Sequence, residues 1–99
     1  MTRLEEIQAI IDKYDLKQKS RYMHLIYRRY YLYKVLKRDG MTLSQIGRLF
    51  GKTHASVING INKHDTYMKY KDSAYMLHTL ELREKFVLPQ YYKPLKQRV

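Results

Sequence analysis

The chain has 99 residues, no cysteine and a formal net charge of +11 at pH 7, from 20 lysines and arginines against 9 acidic residues. This length predicts one small domain, and the charge indicates a polyanionic partner, either nucleic acid or an acidic membrane surface. The lack of cysteine excludes disulfides and thiolate metal sites. No apolar run approaches the ~20 residues of a membrane span, and the N-terminal residues lack a signal peptide's hydrophobic region, so no membrane partner is expected.

The first predicted element is a helix from Thr2 to Tyr14. Thr2 and Glu5 have the spacing of a capping box. Apolar residues at helical spacing give this helix one face: Leu4, Ile7, Ile11 and Tyr14. We expect the helix to act as a packing strut that leads, through a connector, into a basic loop at 19–21.

A long second helix is predicted from Ser20, a candidate N-cap, to about Arg38, with Asp39-Gly40 as its stop. Residues 19–38 carry seven cations and no anion, so the positive charge is concentrated here. Leucines define the buried stripe: Leu25, Leu32 and Leu36.

The second helix is also rich in tyrosine: Tyr22, Tyr27, Tyr30, Tyr31 and Tyr33. Aromatic residues among cations can stack the bases of a single strand, but tyrosines also fill small cores, and we favour the core. A patch opposite the leucine stripe consists of Met23, Tyr27, Tyr30 and Lys34. If it is exposed, this patch is a candidate protein contact, and a homodimer through it is left open.

Residues 42–63 predict a helix-turn-helix, the element around which the chain is organised. Thr42 and Gln45 form a capping box, and Gly51 ends the first helix. A glycine inside that helix, Gly47, indicates a close helix–helix crossing. The second helix starts at Lys52 and Thr53, and its inward face is predicted to be Val57, Ile58 and Ile61.

The outer face of that second helix is small, polar or cationic, and it carries no acidic residue: Lys52, Ala55, Ser56, Asn59 and Lys63. Side chains of this kind suit base edges in a major groove, flanked by cations for phosphates. The alternative is an ordinary solvated face, which commonly carries glutamates. The pattern therefore favours a DNA-reading face.

A last helix is predicted from Asp72 or Ser73 to about Val87, with apolar residues on two sides. One side holds Tyr75, Leu82 and Phe86, and the other holds Met76, Leu77, Leu80 and Val87. The pattern leaves open which side covers the core. Residues 1–88 are thus predicted to form a single helical domain, followed by a basic tail at 89–99 that could contact DNA or a protein.

The segment LSQIGRLFGKTHASV resembles the signature of the C-terminal DNA-binding domain of the bacterial replication initiator DnaA, approximately L-P-E-I-G-x-x-F-G-G-R-D-H-[ST]-T-V. With one glycine of the pattern's Gly-Gly pair left without a counterpart, the matching positions are Leu43, Ile46, Gly47, Phe50, Gly51, His54 and Val57. Lys52 and Ser56 are mild replacements of arginine and threonine. Thr53 stands where the family has aspartate, and Ala55 where it has serine or threonine.

The resemblance covers about residues 19–64, and the match is specific in the helix-turn-helix. It implies an all-α fold of about five helices around that motif, similar to the DnaA C-terminal domain and the Trp repressor. Because two of the base-contacting positions differ, it implies the fold and groove geometry more strongly than the target sequence.

Three sets of DNA contacts are expected. Base edges in the major groove are assigned to Thr53, His54, Ala55, Ser56 and Asn59, with Ala55 packing on a thymine methyl. Arg21 of the basic loop enters the adjacent minor groove. Phosphate contacts are assigned to Lys19, Arg29, Lys37, Ser44, Lys52 and Lys63. Six neutralised phosphates would give a slope of log K against log salt of about −5.

Motifs of catalysis are missing from the sequence. There is no G-x-x-x-x-G-K-[ST] motif, the histidines lie ten or more residues apart without cysteine, and no catalytic triad or carboxylate pair has suitable spacing. We therefore expect no enzyme activity, cofactor, metal site or small-molecule substrate.

The predicted function is sequence-specific binding of double-stranded DNA in the cytoplasm of a bacterial cell or a phage-infected host. Two uses fit: a transcriptional regulator, encoded by a phage or mobile element, and an accessory factor at a replication origin. One alternative is a protein-interaction module that uses the basic, Tyr-rich surface, with the helix-turn-helix as scaffold. Another is recognition of RNA or single strands.

Overall fold

The computed structural model describes residues 2–19 and 22–88. These residues form six helices: α1 (Arg3–Tyr14), α2 (Met23–Arg38), α3 (Leu43–Phe50), α4 (His54–Lys69), α5 (Ser73–His78) and α6 (Leu80–Lys85). The described part of the chain has no strand, which confirms the all-α class, and none of its helices is long and apolar enough to cross a membrane. The predicted N-cap Ser20 and the predicted tail at 89–99 lie outside the described residues.

Helix α2 is the centre of the fold, and all five other helices pack against it. The predicted leucine stripe of α2 is buried, which confirms that prediction. Three of its tyrosines are buried too: Tyr27, Tyr31 and Tyr33. The Tyr31 hydroxyl donates to the Phe86 carbonyl at 2.7 Å, and the Tyr33 ring packs edge-on against Phe50. These tyrosines fill the core, as the sequence favoured.

The candidate Met–Tyr patch on α2 is only partly exposed: Met23 is exposed, Tyr30 and Lys34 are half-buried, and Tyr27 is buried. Tyr27 is 8% exposed and packs edge-on against Tyr67 and Tyr75. Lys34 pairs with Asp65 of α4, with 2.9 Å between Nζ and Oδ1. Helices α4 and α5 therefore cover the Tyr27 part of this face and leave Met23 exposed.

The predicted helix ends are confirmed at several positions. Thr2 and Thr42 each close a capping box, and the Asp72 side chain accepts from the backbone N–H of Tyr75. Gly51 ends α3 with a φ of 68°, the left-handed conformation that favours glycine. These local signals fix where the chain turns, because each satisfies backbone groups that a helix end leaves free.

Gly47 lies where α3 closely approaches another part of the chain, as its position in the helix predicted. The part that it approaches is the turn and not the second helix of the motif. A Cβ atom at Gly47 would lie 2.5 Å from the carbonyl oxygen of Lys52. The close contact is thus between α3 and the backbone of the turn, rather than between α3 and the second helix. Any side chain at this position would push the turn away from α3.

The second helix of the motif is longer than predicted, since α4 continues to Lys69. The last predicted helix is interrupted at Thr79, which separates α5 from α6. Its side with Tyr75, Leu82 and Phe86 covers the core, whereas Leu77, Leu80 and Val87 are exposed. This answers the question that the sequence left open.

A buried histidine joins α4 to α5. His64 is 1% exposed, and its Nδ1 lies 2.6 Å from the hydroxyl oxygen of Tyr75. Burial lowers the pKa of His64 from 6.5 to about 4, opposed by the negative charge of Asp65 and reinforced by the positive charge of Lys34. The imidazole is therefore neutral at pH 7 in the folded protein.

This histidine should make stability depend on pH. The pKa of His64 is about 4 when folded and near 6.5 when unfolded, so the unfolded chain binds more protons between these values. The contribution of neutral His64 to the free energy of unfolding is complete above pH 6.5 and is lost as the pH falls toward 4. The free energy of unfolding should therefore decrease by about 2 kcal/mol between pH 7 and pH 5. Urea unfolding at several pH values measures this slope. His64→Gln should flatten it, and the exposed control His54→Gln should not; equal slopes in both variants would contradict the assignment.

Candidate nucleic-acid interface

The N-terminal turn of α4 is open to solvent. Thr53 is its N-cap, and the Thr53 side chain accepts from the backbone N–H of Ser56 at 3.2 Å and donates to the Ser56 hydroxyl at 3.1 Å. Thr53, His54, Ala55 and Ser56 are all exposed. No helix of the described residues covers this end, so the helix is presented end-first.

The outer face of α4 continues beyond this turn as a row of exposed side chains: Ala55, Ile58, Asn59, Asn62 and Lys63. Two of these residues were not predicted to lie there. Ile58 is 40% exposed, so its assignment to the inward face is wrong, whereas Val57 is buried as expected. Asn62 was missed, although it lies one turn beyond Ile58 on the same face. Extending the helical periodicity past Asn59 would have found it.

The loop between α1 and α2 is held against the helix-turn-helix by hydrogen bonds to its carbonyls. The Lys52 ammonium donates to the carbonyl oxygens of Lys17 and Gln18, both at 3.3 Å. Arg29 Nη1 donates to the carbonyl oxygens of Leu16 at 3.3 Å and Gln18 at 3.4 Å. The described end of this loop therefore lies beside the turn from which α4 starts.

Cations are close enough here to affect one another. The pKa of Lys52 is lowered, first by burial and then by the positive charges of Arg29 and Lys19. A cluster of like charges gains from a nearby anion, because the anion offsets the repulsion between the cations. The junction of loop and turn is thus a suitable place for a phosphate group.

The predicted phosphate contacts fall into two groups. Lys19, Lys37, Ser44 and Lys63 are exposed, and Lys52 is half-buried with its ammonium on the loop. Arg29 is 6% exposed and lies beneath the loop, so its assignment as a phosphate contact is corrected. Its guanidinium instead donates to the Leu16 carbonyl oxygen and holds the loop on α2. The predicted minor-groove residue Arg21 lies outside the described residues.

The structural role of Arg29 can be tested by substitution. Arg29→Met removes the donor for the Leu16 carbonyl and should lower the free energy of unfolding by about 2 kcal/mol, because a buried acceptor loses its partner. Lys37→Met, on the exposed end of α2, should change it by less than about 0.5 kcal/mol. Chemical unfolding followed by circular dichroism measures both. A stable Arg29→Met protein with weakened DNA binding would restore the phosphate assignment.

Comparisons with protein-family models, with curated proteins and with solved structures gave no match. The geometry of α4 and of the residues beside it, together with the short stretch of sequence that resembles the DnaA signature, is what bears on function.

Proposed function

We propose that this protein binds double-stranded DNA sequence-specifically, with the N-terminal half of α4 in the major groove. The observation that carries the proposal is the exposed first turn of α4, beside residues 17–18 of the α1–α2 connection, whose carbonyls accept hydrogen bonds from the Lys52 ammonium. Residues 53–64 carry no acidic side chain that would repel the DNA backbone. The resemblance to the DnaA C-terminal domain supports the same arrangement of the motif.

The shape of α4 suits the groove. A major groove about 12 Å wide admits one α-helix, and among residues 2–19 and 22–88 nothing covers the end of α4 that would enter first. His54, Ser56 and Asn59 offer hydrogen-bonding groups of short reach on this end, and Ala55 offers an apolar contact. Thr53 uses its hydroxyl to cap the helix, so its main contribution is to shape the turn.

Phosphate contacts would fix the register of the helix on the duplex. The Lys52 ammonium has three donors and gives two hydrogen bonds to the loop, which leaves one for a phosphate oxygen. Lys19, Lys37 and Lys63 are the exposed cations of the predicted set. With Arg29 withdrawn and Ser44 carrying no charge, the four lysines imply a slope of log K against log salt of about −4.

The burial of the tyrosines weakens both alternatives. A protein-interaction module would need the Tyr-rich surface of α2, yet Tyr27, Tyr31 and Tyr33 are in the core. Stacking on single-stranded bases would lose the same three rings, which leaves the exposed Tyr22 and the half-buried Tyr30 of the five. DNA binding in a transcriptional regulator or a replication-origin accessory factor therefore remains our proposal.

The test is selection of bound sites from randomised duplex DNA, followed by fluorescence anisotropy on the recovered site. His54→Ala and Asn59→Ala should each weaken binding by about ten-fold, because each removes a contact to a base edge. His24→Ala is the matched control, since His24 is exposed at the start of α2. It should leave the affinity unchanged, and circular dichroism should show all three variants folded.

Three results would contradict the proposal. One is unchanged affinity of both α4 variants, which would make the helix-turn-helix a scaffold. Another is binding indifferent to salt between low and physiological ionic strength, since a phosphate-anchored complex releases counterions. The third is equal competition by single-stranded and duplex oligonucleotides.

A further inference from the structure

We propose that α4 reads A·T base pairs, with thymine methyl groups packed on Ile58 and Ala55 as a main element of the readout. The inference rests on the proposed function and names the class of DNA sequence that this site takes. Ile58 is exposed on the outer face of α4, although the sequence predicted that it would face inward.

The four central residues of that face form one stripe along the helix. Ala55, Ile58, Asn59 and Asn62 follow the spacing i, i+3, i+4, i+7, and all four are exposed. The stripe therefore begins with two apolar side chains and continues with two amides toward the C-terminus of α4. It points to solvent from the same end of α4 that is free to enter a groove.

An apolar side chain on such a stripe has one chemical partner in a major groove. Of the base edges displayed there, thymine contributes a methyl group, whereas the other positions are hydrogen-bond donors and acceptors. Ile58 is 40% exposed in the free protein, so covering it with a methyl group removes apolar surface from water. Ala55 extends the same apolar contact by one turn toward the N-terminus of α4.

The two amides suit the other half of an A·T pair. An asparagine side chain can donate to adenine N7 and accept from adenine N6 in a two-point contact. Within the described part of the chain, the side-chain amides of Asn59 and Asn62 make no hydrogen bond, so they are available. Each of them lies four residues after an apolar member of the stripe, one helical turn away.

The stripe lacks the side chains that usually read G·C pairs. Guanine is typically recognised by arginine or lysine, and cytosine by aspartate or glutamate. None of the four residues is of these types. The nearest acid further along α4, Asp65, is paired with Lys34.

The experiment uses the duplex recovered by selection and replaces each thymine in turn by uracil, which removes only the methyl group. Loss of a packed methyl should weaken binding about four-fold at one or two positions. Ile58→Ala should abolish this uracil penalty at the position that Ile58 contacts. The matched control is Leu80→Ala, because Leu80 is 47% exposed on α6, away from α4's outer face, and it should keep every penalty.

Each other outcome overturns the inference. Tight, sequence-specific duplex binding in which every uracil substitution costs less than two-fold would refute methyl readout and leave the proposed function intact. Uracil penalties that persist in full in Ile58→Ala would refute the role of Ile58. Failure to select any duplex would refute the proposed function and this inference together.

Discussion

The structure depends on a buried guanidinium that must find acceptors. Arg29 lies inside the fold at 6% exposure, and a charge in that position is costly unless it is hydrogen-bonded. The carbonyls of Leu16 and Gln18 meet this need, so the α1–α2 loop must follow one path over α2. Lys52 donates to the same stretch of loop from the turn of the helix-turn-helix. Residues 16–18 and the start of α4 are therefore brought together by the fold itself.

Two glycines, Gly47 and Gly60, determine how α4 packs on its neighbours. A Cβ at Gly47 would meet the Lys52 carbonyl, and a Cβ at Gly60 would lie 2.6 Å from the ring of Tyr33. The turn can therefore pack on α3, and the middle of α4 can pack on α2. The side of α4 opposite Gly60 is exposed, and that side carries Ala55, Ile58 and Asn62.

The sequence predicted what depends on local chemistry. The caps at Thr2, Thr42 and Asp72, the end of α3 at Gly51 and the buried leucines of α2 are all confirmed. The wrong predictions concern the neighbours that pack around a helix. Periodicity within one helix shows which residues share a face, but it does not show which other elements cover that face. Arg29 and Tyr27 are buried because α2 is enclosed by helices and the described part of the loop. Ile58 is exposed because no described element reaches that side of α4. Asn62 was missed because the predicted face stopped too early along the helix.

The most direct test of the account is a titration of the isotopically labelled protein with duplex DNA, followed by amide chemical shifts in NMR. The account requires the largest changes in two separate stretches, 17–19 of the loop and 52–63 of the motif, because the fold places them side by side. Changes confined to the exposed apolar side of α5 and α6, around Leu77 and Leu80, would contradict it. That result would assign DNA binding to a different surface.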